Sequence, residues 1–364
     1  MQDQEFIPQK YKAFIEKGQF TWSSPSNIAL VKYWGKKAHQ IPENPSISFT
    51  LNNCKTITTL GFSKKATTDD FSFDIFLDKK QQDDFKPKIE TFFKRIELYM
   101  PFLRHYHFKI ETSNTFPHSS GIASSASGMS ALALCLMSLE QALNIQNSIV
   151  FNDDAYFNKK ASFLARLGSG SACRSIEGDL IVWGTHEHIA GSSDLFGVKY
   201  PYKVHDNFKN YQDTILLVDK GEKQVSSTLG HNLMHKHPFA IERFKQASTN
   251  LKSMISILST GDLKAFIALV ESEALTLHAM MMTSMPYFIL MKPNTLEIIN
   301  KIWAYRAQNN SNISFTLDAG ANVHVLYPDH EKQDVLVFIK NELAQYCQKG
   351  EYIIDKIGFG AQLL

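Results

Sequence analysis

A loop of small residues between a strand and a long apolar helix constrains the fold of this chain more than any other feature. Residues 117–128 read PHSSGIASSASG, and seven of these twelve residues are Gly or Ser. The preceding YHFKIET (106–112) alternates apolar and polar residues, which predicts a strand, and the following MSALALCLMSLEQAL (129–143) predicts a long apolar helix. Small residues at a helix start let backbone N–H groups and the positive end of the helix dipole meet an anion. The segment therefore predicts a phosphate-binding loop.

The composition of the same loop also indicates that it binds a nucleotide together with a metal ion. Serine hydroxyls can reach magnesium, which usually keeps several waters and bridges nucleotide phosphates. A Walker A motif is missing, and a flexible loop capped by serine is the alternative reading. The loop resembles the PxxxGLxSSAS pattern of the GHMP small-molecule kinases. This resemblance implies ATP and Mg²⁺ as cofactors, with Ser125 nearest the metal and ATP contacts at Pro117, Ser120, Gly121, Ala123, Ser124, Ser125 and Ser127.

A cluster of cations and aromatic residues follows an apolar run near the N-terminus, in SNIALVKYWGKK (26–37). A strand here would place Ile28 and Leu30 on one face and Lys32 at the strand end, where a cation suits an anionic ligand. A solvated strand end is the alternative. The string NIALVKYWGK closely resembles the N-terminal signature of the diphosphomevalonate decarboxylases, a branch of the GHMP kinases. The resemblance implies catalysis by Lys32 and substrate binding by Asn27, Tyr33 and Lys36.

A second anion site is predicted in RLGSGSACRS (166–175), where glycines interleaved with serines can form a backbone nest and Arg174 offers a planar fork. A helix end running into a loop would explain Gly168 but not the rest of the string. In the family that this string resembles, its serine and arginine hold the phosphate and carboxylate ends of the substrate. By position these are Ser171 and Arg174, and the hydroxyls assigned to the phosphate side are those of Ser169, Ser226 and Ser227.

An acid completes the predicted site. Asp318 ends a strand and precedes a sharp turn in TLDAGANVHVLY (316–327). Such a position can hold a side chain rigidly in a cleft, although an aspartate before glycine often only forms a turn. The string resembles the FDAGPN motif of the same family, which implies that Asp318 is the catalytic carboxylate. Ala321 stands where proline is usual, and we expect no change of reaction from it.

The order of predicted elements indicates an α+β protein of two domains with a cleft between them. Helices are expected over residues 86–100 and 153–167, and a strand over 179–183. A domain boundary is expected within residues 191–210. The elements predicted after it have the order of a split βαβ domain, namely a strand, helices, a hairpin (313–327), a helix (335–343) and a final strand (352–358). Residues 273–293 resemble a helix and following strand of the family.

The resemblance, which runs from Ser26 to Tyr327, implies a GHMP kinase-like fold. The expected limits are a leader (1–20), a ribosomal-protein-S5-like ATP-binding domain (21–205) and a ferredoxin-like domain (206–364). A net charge of +2 gives no field that would draw nucleic acid or a membrane surface. The four scattered cysteines and the absence of an apolar signal core predict a cytoplasmic protein with reduced thiols. Histidine pairs such as His231 and His235 lack a third ligand, so no zinc site is expected.

The implied reaction is the ATP-dependent decarboxylation of (R)-5-diphosphomevalonate to isopentenyl diphosphate, through transient phosphorylation of the 3-hydroxyl group. A homodimer is implied by the same resemblance. Three alternatives stay open: a 3-kinase that only phosphorylates, a decarboxylase of a monophosphorylated mevalonate, and a non-catalytic relative that binds ligands. Asp318 and the glycine loop are both present, which speaks against the last of these.

Overall fold

The N-terminal part of the chain is built on one mixed sheet. In the computed structural model, which describes residues 3–117, 122–150, 153–220 and 227–364, the sheet order is β12-β1-β2-β5-β3-β4, with β6 pairing with β2 and β7 pairing with β6. The strands are β1 Lys17–Val31, β2 Ser46–Lys64, β3 Ser72–Leu77, β4 Lys80–Gln81, β5 Tyr106–Asn114, β6 Leu180–Trp183, β7 Val198–Lys199 and, from the end of the chain, β12 Gln362–Leu363.

Three helices cover this sheet, namely α1 Lys86–Ile96, α2 Ser124–Gln146 and α3 Asp154–Gly168. Helix α2 is apolar on nearly all sides because it packs on β1 and β2 and also against α3. Helix α1 buries Ile89, Phe92, Phe93 and Ile96, which recur at helical spacing. A short 3₁₀ helix, Gly170–Ser175, follows α3 and carries the predicted anion motif.

The C-terminal part is a split βαβ unit. Its antiparallel sheet has the order β11-β8-β10-β9. The strands are β8 Gln212–Leu216, β9 Ser314–Leu317, β10 Val323–Tyr327 and β11 Tyr352–Lys356, and the helices are α4 Ser227–Leu233, α5 Ala240–Thr260, α6 Leu263–Met282, α7 Pro293–Asn309 and α8 Lys332–Phe338. Numbered along the sequence, the order is fourth, first, third and second strand, which is the order of the predicted ferredoxin-like arrangement.

Most predicted elements are confirmed. The helices expected over 86–100 and 153–167 are α1 and α3, and the expected hairpin is β9 with β10. The expected helix over 335–343 is α8, continued by one wider turn through Ile339–Leu343. The α+β fold with two sheet-and-helix parts is therefore as the sequence indicates.

Two segments of the C-terminal part differ from the prediction. Helix α5 was not predicted, although Ala247, Leu251, Met254 and Leu258 recur at helical spacing and are buried. The strand expected after α6 is absent: residues 283–292, all of them described, form a turn and extended chain outside any sheet. The side chains of Tyr287 and Ile289 are largely exposed there, so no sheet partner covers them.

Part of the segment before residue 21 packs into the N-terminal core. Strand β1 already begins at Lys17, and the Phe6 ring is fully buried, stacked on Phe163 with ring centroids 4.5 Å apart. At the other end of the chain, β12 returns to pair with β1. The sequence-based domain limits at 20/21 and 205/206 remain predictions.

Helices α2 and α6 are long and apolar enough to span a membrane by length and composition alone. Most of each helix is buried inside the protein, 83% of the most apolar window in α2 and 61% in α6, as is usual for core helices of a folded domain.

Candidate active site

A cavity of about 500 Å³ lies where the two parts of the chain meet. Its wall is formed by the residues after β1, by α1, by the start of α2, by the 3₁₀ helix, by α4 and α6, and by the turn after β9. Among the described residues that line it, the cations are Lys32, Lys36, Lys88, Arg95 and Arg174, and the one acid is Asp318. Such an excess of cations suits a ligand that carries several negative charges.

The predicted acid and lysine meet in this cavity, although 286 residues separate them in sequence. Lys32 Nζ donates a hydrogen bond to Asp318 Oδ1 at 3.1 Å. The lysine side chain is 2% exposed, whereas that of Asp318 is 30% exposed. Burial lowers the pKa of Lys32, and the Asp318 carboxylate opposes that shift. The pair therefore presents a carboxylate to the cavity with a cation fixed behind it.

The backbone of Lys32 is fixed by a buried carboxylate of the C-terminal part. Glu273, on α6, accepts the Lys32 N–H at Oε2 over 2.8 Å. The same carboxylate pairs with both terminal nitrogens of Arg243 and accepts a hydrogen bond from Asn250 Nδ2 at 2.6 Å. Arg243 and Glu273 are almost fully buried. The end of β1 is thus held by helices α5 and α6, a contact that sequence reasoning missed.

The turn that carries Asp318 is fixed by two buried side chains. His278 Nε2 lies 3.1 Å from the Asp318 carbonyl oxygen. Because burial lowers the pKa of His278 to about 4, its ring is neutral at pH 7 and donates to that oxygen from Nε2. Thr295 Oγ1 donates to the Ala321 carbonyl at 2.7 Å. The turn is therefore held without the proline that the family usually has at position 321.

Arg174 is buried in the cavity wall by neighbours from both adjoining strands. Its Nη1 donates to Ser46 Oγ at 2.6 Å and its Nε to Asn27 Oδ1 at 3.3 Å. The Asn27 amide also donates to Ser175 Oγ at 2.8 Å and to the Ser171 carbonyl at 3.3 Å. Asn27 is not among the residues that line the cavity, so the structure places it behind Arg174 and Ser171, which both line it.

Tyr33 and Lys36 also line the cavity, as predicted for substrate contacts. The Tyr33 ring packs edge-on against Trp183 with centroids 4.6 Å apart, and its hydroxyl is buried without a hydrogen-bond partner among the described residues. A Cβ atom at Gly170 would lie 2.9 Å from that hydroxyl, so only glycine fits at this point of the motif. Burial and the nearby Arg95 lower the pKa of Lys36.

The predicted ATP contacts are only partly brought to the cavity. Ala123 and Ser125 line it at the start of α2, and Ser169 lines it beside Ser171. Ser127 is fully buried instead, with its Oγ 2.6 Å from Thr56 Oγ1. Pro117 and Ser124 are not among the lining residues. Ser120, Gly121 and Ser226 lie outside the described residues, as does the side chain of Ser227.

Sequence reasoning missed two of the lining cations and a histidine. Lys88 and Arg95 sit seven residues apart on α1, and Arg95 Nη1 donates to the Leu167 carbonyl at 2.9 Å. The sequence of α1 has a clear apolar face that predicts core packing, and no local pattern marks these two cations as ligand contacts. His231, on α4, lines the cavity from the C-terminal side. Cys173 is buried in the anion motif, and burial raises the pKa of its thiol to about 12, as expected for a packing residue.

The fold and the site together define an enzyme of the GHMP type. The fold contributes a sheet-and-helix domain and a split βαβ domain, and the site contributes an acid–lysine pair beside a serine-rich helix start. Family models identify the branch of the GHMP enzymes to which the chain belongs. The model of the diphosphomevalonate decarboxylase-like N-terminal domain matches residues 24–194, and that of the mevalonate 5-diphosphate decarboxylase C-terminal domain matches residues 214–357. The chain belongs to the diphosphomevalonate decarboxylase family.

Individual relatives agree over nearly the whole chain. The diphosphomevalonate decarboxylase of Ganoderma lucidum is 28% identical, with 94% of this chain and 86% of that protein covered. A solved structure of MDDEF in complex with MVAPP, AMPPCP and magnesium has a TM-score of 0.79 and 27% identity over 96% of this chain and 99% of that one. The mevalonate diphosphate decarboxylase of Staphylococcus aureus also has a TM-score of 0.79, with 25% identity over 96% and 98% of the two chains.

Proposed function

We propose that this protein catalyses the ATP-dependent decarboxylation of (R)-5-diphosphomevalonate to isopentenyl diphosphate, with release of ADP, phosphate and carbon dioxide. The observation that carries the proposal is the hydrogen-bonded pair of Lys32 and Asp318, at 3.1 Å, in a cavity lined with cations beside the start of α2. The relatives named above act as decarboxylases of the same diphosphorylated acid, which supports the choice of substrate.

The difficulty of the reaction is the departure of a tertiary hydroxyl group. Transfer of the γ-phosphoryl group to the 3-hydroxyl oxygen breaks the bond to ADP and makes that oxygen part of a good leaving group. When phosphate then leaves, the bond between C3 and its oxygen breaks. The bond to the carboxylate breaks with it, and the electron pair of that bond forms the carbon–carbon double bond as carbon dioxide departs.

In this proposal Asp318 orients the 3-hydroxyl group and accepts its proton during phosphoryl transfer. Lys32 keeps the carboxylate in place and offsets negative charge beside it. Both effects gain strength because the lysine is buried, where the effective dielectric constant is lower than in water. Arg174, held by Ser46 and Asn27, would bind the carboxylate that is lost. Positioning and electrostatics of this kind supply most of the catalysis in phosphoryl transfer.

Magnesium fits the oxygen donors at the start of α2. Among the residues that the structure describes, no group of three or more His, Cys, Asp or Glu side chains could hold a metal ion. An ion carried mainly by nucleotide phosphates and waters, with one serine oxygen such as that of Ser125, matches the usual preference of Mg²⁺. When bound, the ion would neutralise charge on the transferring phosphate.

The decisive experiment is Asp318→Asn, which keeps the size of the side chain and removes its charge. We expect turnover to fall by at least about a thousandfold while ATP and substrate still bind, because the acid acts mainly in the transition state. ADP and carbon dioxide should be measured together with purified protein. The matched control is Asp83→Asn on the surface, which should keep full turnover. Near-normal turnover in Asp318→Asn would dismiss the assignment.

The same assay separates the alternatives. Equal amounts of ADP and carbon dioxide from diphosphomevalonate support the decarboxylase. ADP without carbon dioxide would indicate a kinase that stops at phosphorylation. Faster turnover of the monophosphorylated acid would indicate the monophosphate decarboxylase, and no ADP from any of these substrates would indicate a relative that only binds ligands.

We also propose a homodimer in the cytoplasm, in line with the resemblance to the family. Light scattering after size-exclusion chromatography should give about twice the chain mass of 41.3 kDa. A single-chain mass across the micromolar range would reject the dimer.

A further inference from the structure

A buried histidine of the C-terminal part reaches the cavity and has no role in the mechanism above. His231, on α4, is 7% exposed and lines the cavity. Its ring lies against two aromatic residues that follow β1, with centroids 4.3 Å from Tyr33 and 4.6 Å from Trp34. Packing on both neighbours fixes the plane of the imidazole.

The hydrogen bonds of His231 determine which nitrogen carries the proton. The Gly35 N–H donates to Nδ1 at 2.9 Å, so Nδ1 must be the unprotonated nitrogen of the neutral ring. Burial, together with the nearby charges of Lys36 and Arg174, lowers the pKa of His231 to about 3 and keeps the ring neutral. Nε2 therefore carries the hydrogen, and no partner for it is found in the part of the chain that the structure describes. Tyr33 lies beside His231, and its hydroxyl is a second donor for which the described residues provide no partner.

The charges around this donor indicate the kind of group that it would meet. Of the two nearby cations, Lys36 lowers the pKa of the His231 ring more than Arg174 does. Lys36 lies within the field of Arg95, and Lys88 lines the same cavity. The cations Lys36, Lys88 and Arg95 all line this cavity, and three positive charges match a diphosphate, which carries more charge than a carboxylate. A neutral N–H adds a hydrogen bond to a phosphate oxygen without adding further repulsion among those cations.

We propose that His231 is a substrate-binding residue whose Nε2–H donates to the terminal diphosphate of the substrate. This inference deepens the proposed function and rests on it for the identity of the substrate. In this proposal α4 contributes a substrate contact. The ligand would bind simultaneously to Lys36 of the N-terminal part and to His231 of the C-terminal part. Binding of the diphosphate would thereby join the two walls of the cavity.

Two substitutions separate the two nitrogens of the ring. In His231→Asn the side-chain oxygen replaces Nδ1, so the Gly35 N–H keeps its acceptor while the donor toward the cavity is lost. In His231→Gln the amide NH₂ reaches the position of Nε2, so the donor is kept while the contact with Gly35 is lost. Binding of inorganic pyrophosphate to the purified chain, measured by calorimetry, reports the diphosphate site directly. Initial rates with diphosphomevalonate give kcat and KM.

We expect His231→Asn to weaken pyrophosphate binding by about tenfold or more and to raise the substrate KM similarly, the usual loss for one hydrogen bond to a charged group. His231→Gln should stay within about threefold of the wild type. The KM for ATP should be unchanged in both variants. A merely structural role would reverse the order of the variants, because His231→Gln is the one that loses the contact with Gly35.

Unchanged pyrophosphate binding in His231→Asn, or weaker binding in His231→Gln than in His231→Asn, would overturn the proposal. So would a loss of affinity for mevalonate, which carries the carboxylate without phosphates, in place of the loss for pyrophosphate. Failure of the proposed function can be distinguished from failure of the His231 proposal. In that case the wild type would bind pyrophosphate and yet release no carbon dioxide from diphosphomevalonate.

Discussion

Glu273→Gln tests whether the C-terminal part fixes the lysine that we propose for catalysis. The carboxylate of Glu273 is fully buried and serves three partners, namely the backbone N–H of Lys32, the guanidinium of Arg243 and the amide of Asn250. Glutamine has the same shape but replaces one oxygen with an NH₂ group. Whichever way that amide turns, a donor faces donors, and the Arg243 charge is left without its counter-charge.

The size of the effect follows from the contacts. The oxygen that is replaced accepts two hydrogen bonds, and bonds to a charged group contribute about 1.5–3 kcal/mol each. Breaking a buried ion pair by neutralising one partner costs about 3–5 kcal/mol. The two estimates describe the same contacts, so we expect the free energy of unfolding to fall by about 3–5 kcal/mol. A shift of the Lys32 backbone would also misplace its Nζ, and a displacement near 1 Å can reduce turnover about a hundredfold.

Glu271→Gln is the matched control, because Glu271 lies on the same helix and pairs with Arg306 at 2.6 Å but does not touch Lys32. Urea unfolding followed by circular dichroism gives the stabilities, and release of ADP gives kcat. Both variants should be less stable, and only Glu273→Gln should lose turnover at temperatures where each is fully folded. Equal kcat values in the two variants would refute the role of Glu273.

Two further predictions concern a contact between the two parts of the chain and the histidine that holds the turn at Asp318. The Asp355 carboxylate, on β11, accepts the backbone N–H groups of residues 52–54 at 2.8–2.9 Å, so Asp355→Ala should lower the free energy of unfolding by about 2–4 kcal/mol in urea titrations. A loss below about 0.5 kcal/mol would contradict this. The pKa of His278, about 4 in the folded chain, lies below the unfolded value of about 6.5. The unfolded chain then binds more protons below pH 6.5, and the stability present above that pH is lost as the pH falls toward 4. Between pH 7 and pH 5, wild type should lose about 2 kcal/mol more than His278→Gln in urea unfolding, and equal losses would count against a neutral buried ring.

The sequence determines much of the fold because its local patterns report local structure. The four-residue spacing of Phe92 and Ile96 in α1, the alternation along β5 and the turn after Asp318 each reflect contacts within one element and its neighbours. The motif strings also identify the lysine, the acid and the arginine, since each string carries its own residue types and order. The missed helix α5 was legible in the same way, from Leu251, Met254 and Leu258.

Only the tertiary structure decides which of these residues face one cavity and what holds them there. Lys32 and Glu273 are 241 residues apart, and no periodicity relates two such positions. The side chains of Asn27 and Ser127 match the motifs but point into packed contacts, because burial depends on which other element arrives to cover them. No local pattern in the sequence marks His231 as a residue that binds phosphate. Its tautomer, its neutrality and its place among cations arise from residues of the other part of the chain, brought near by folding.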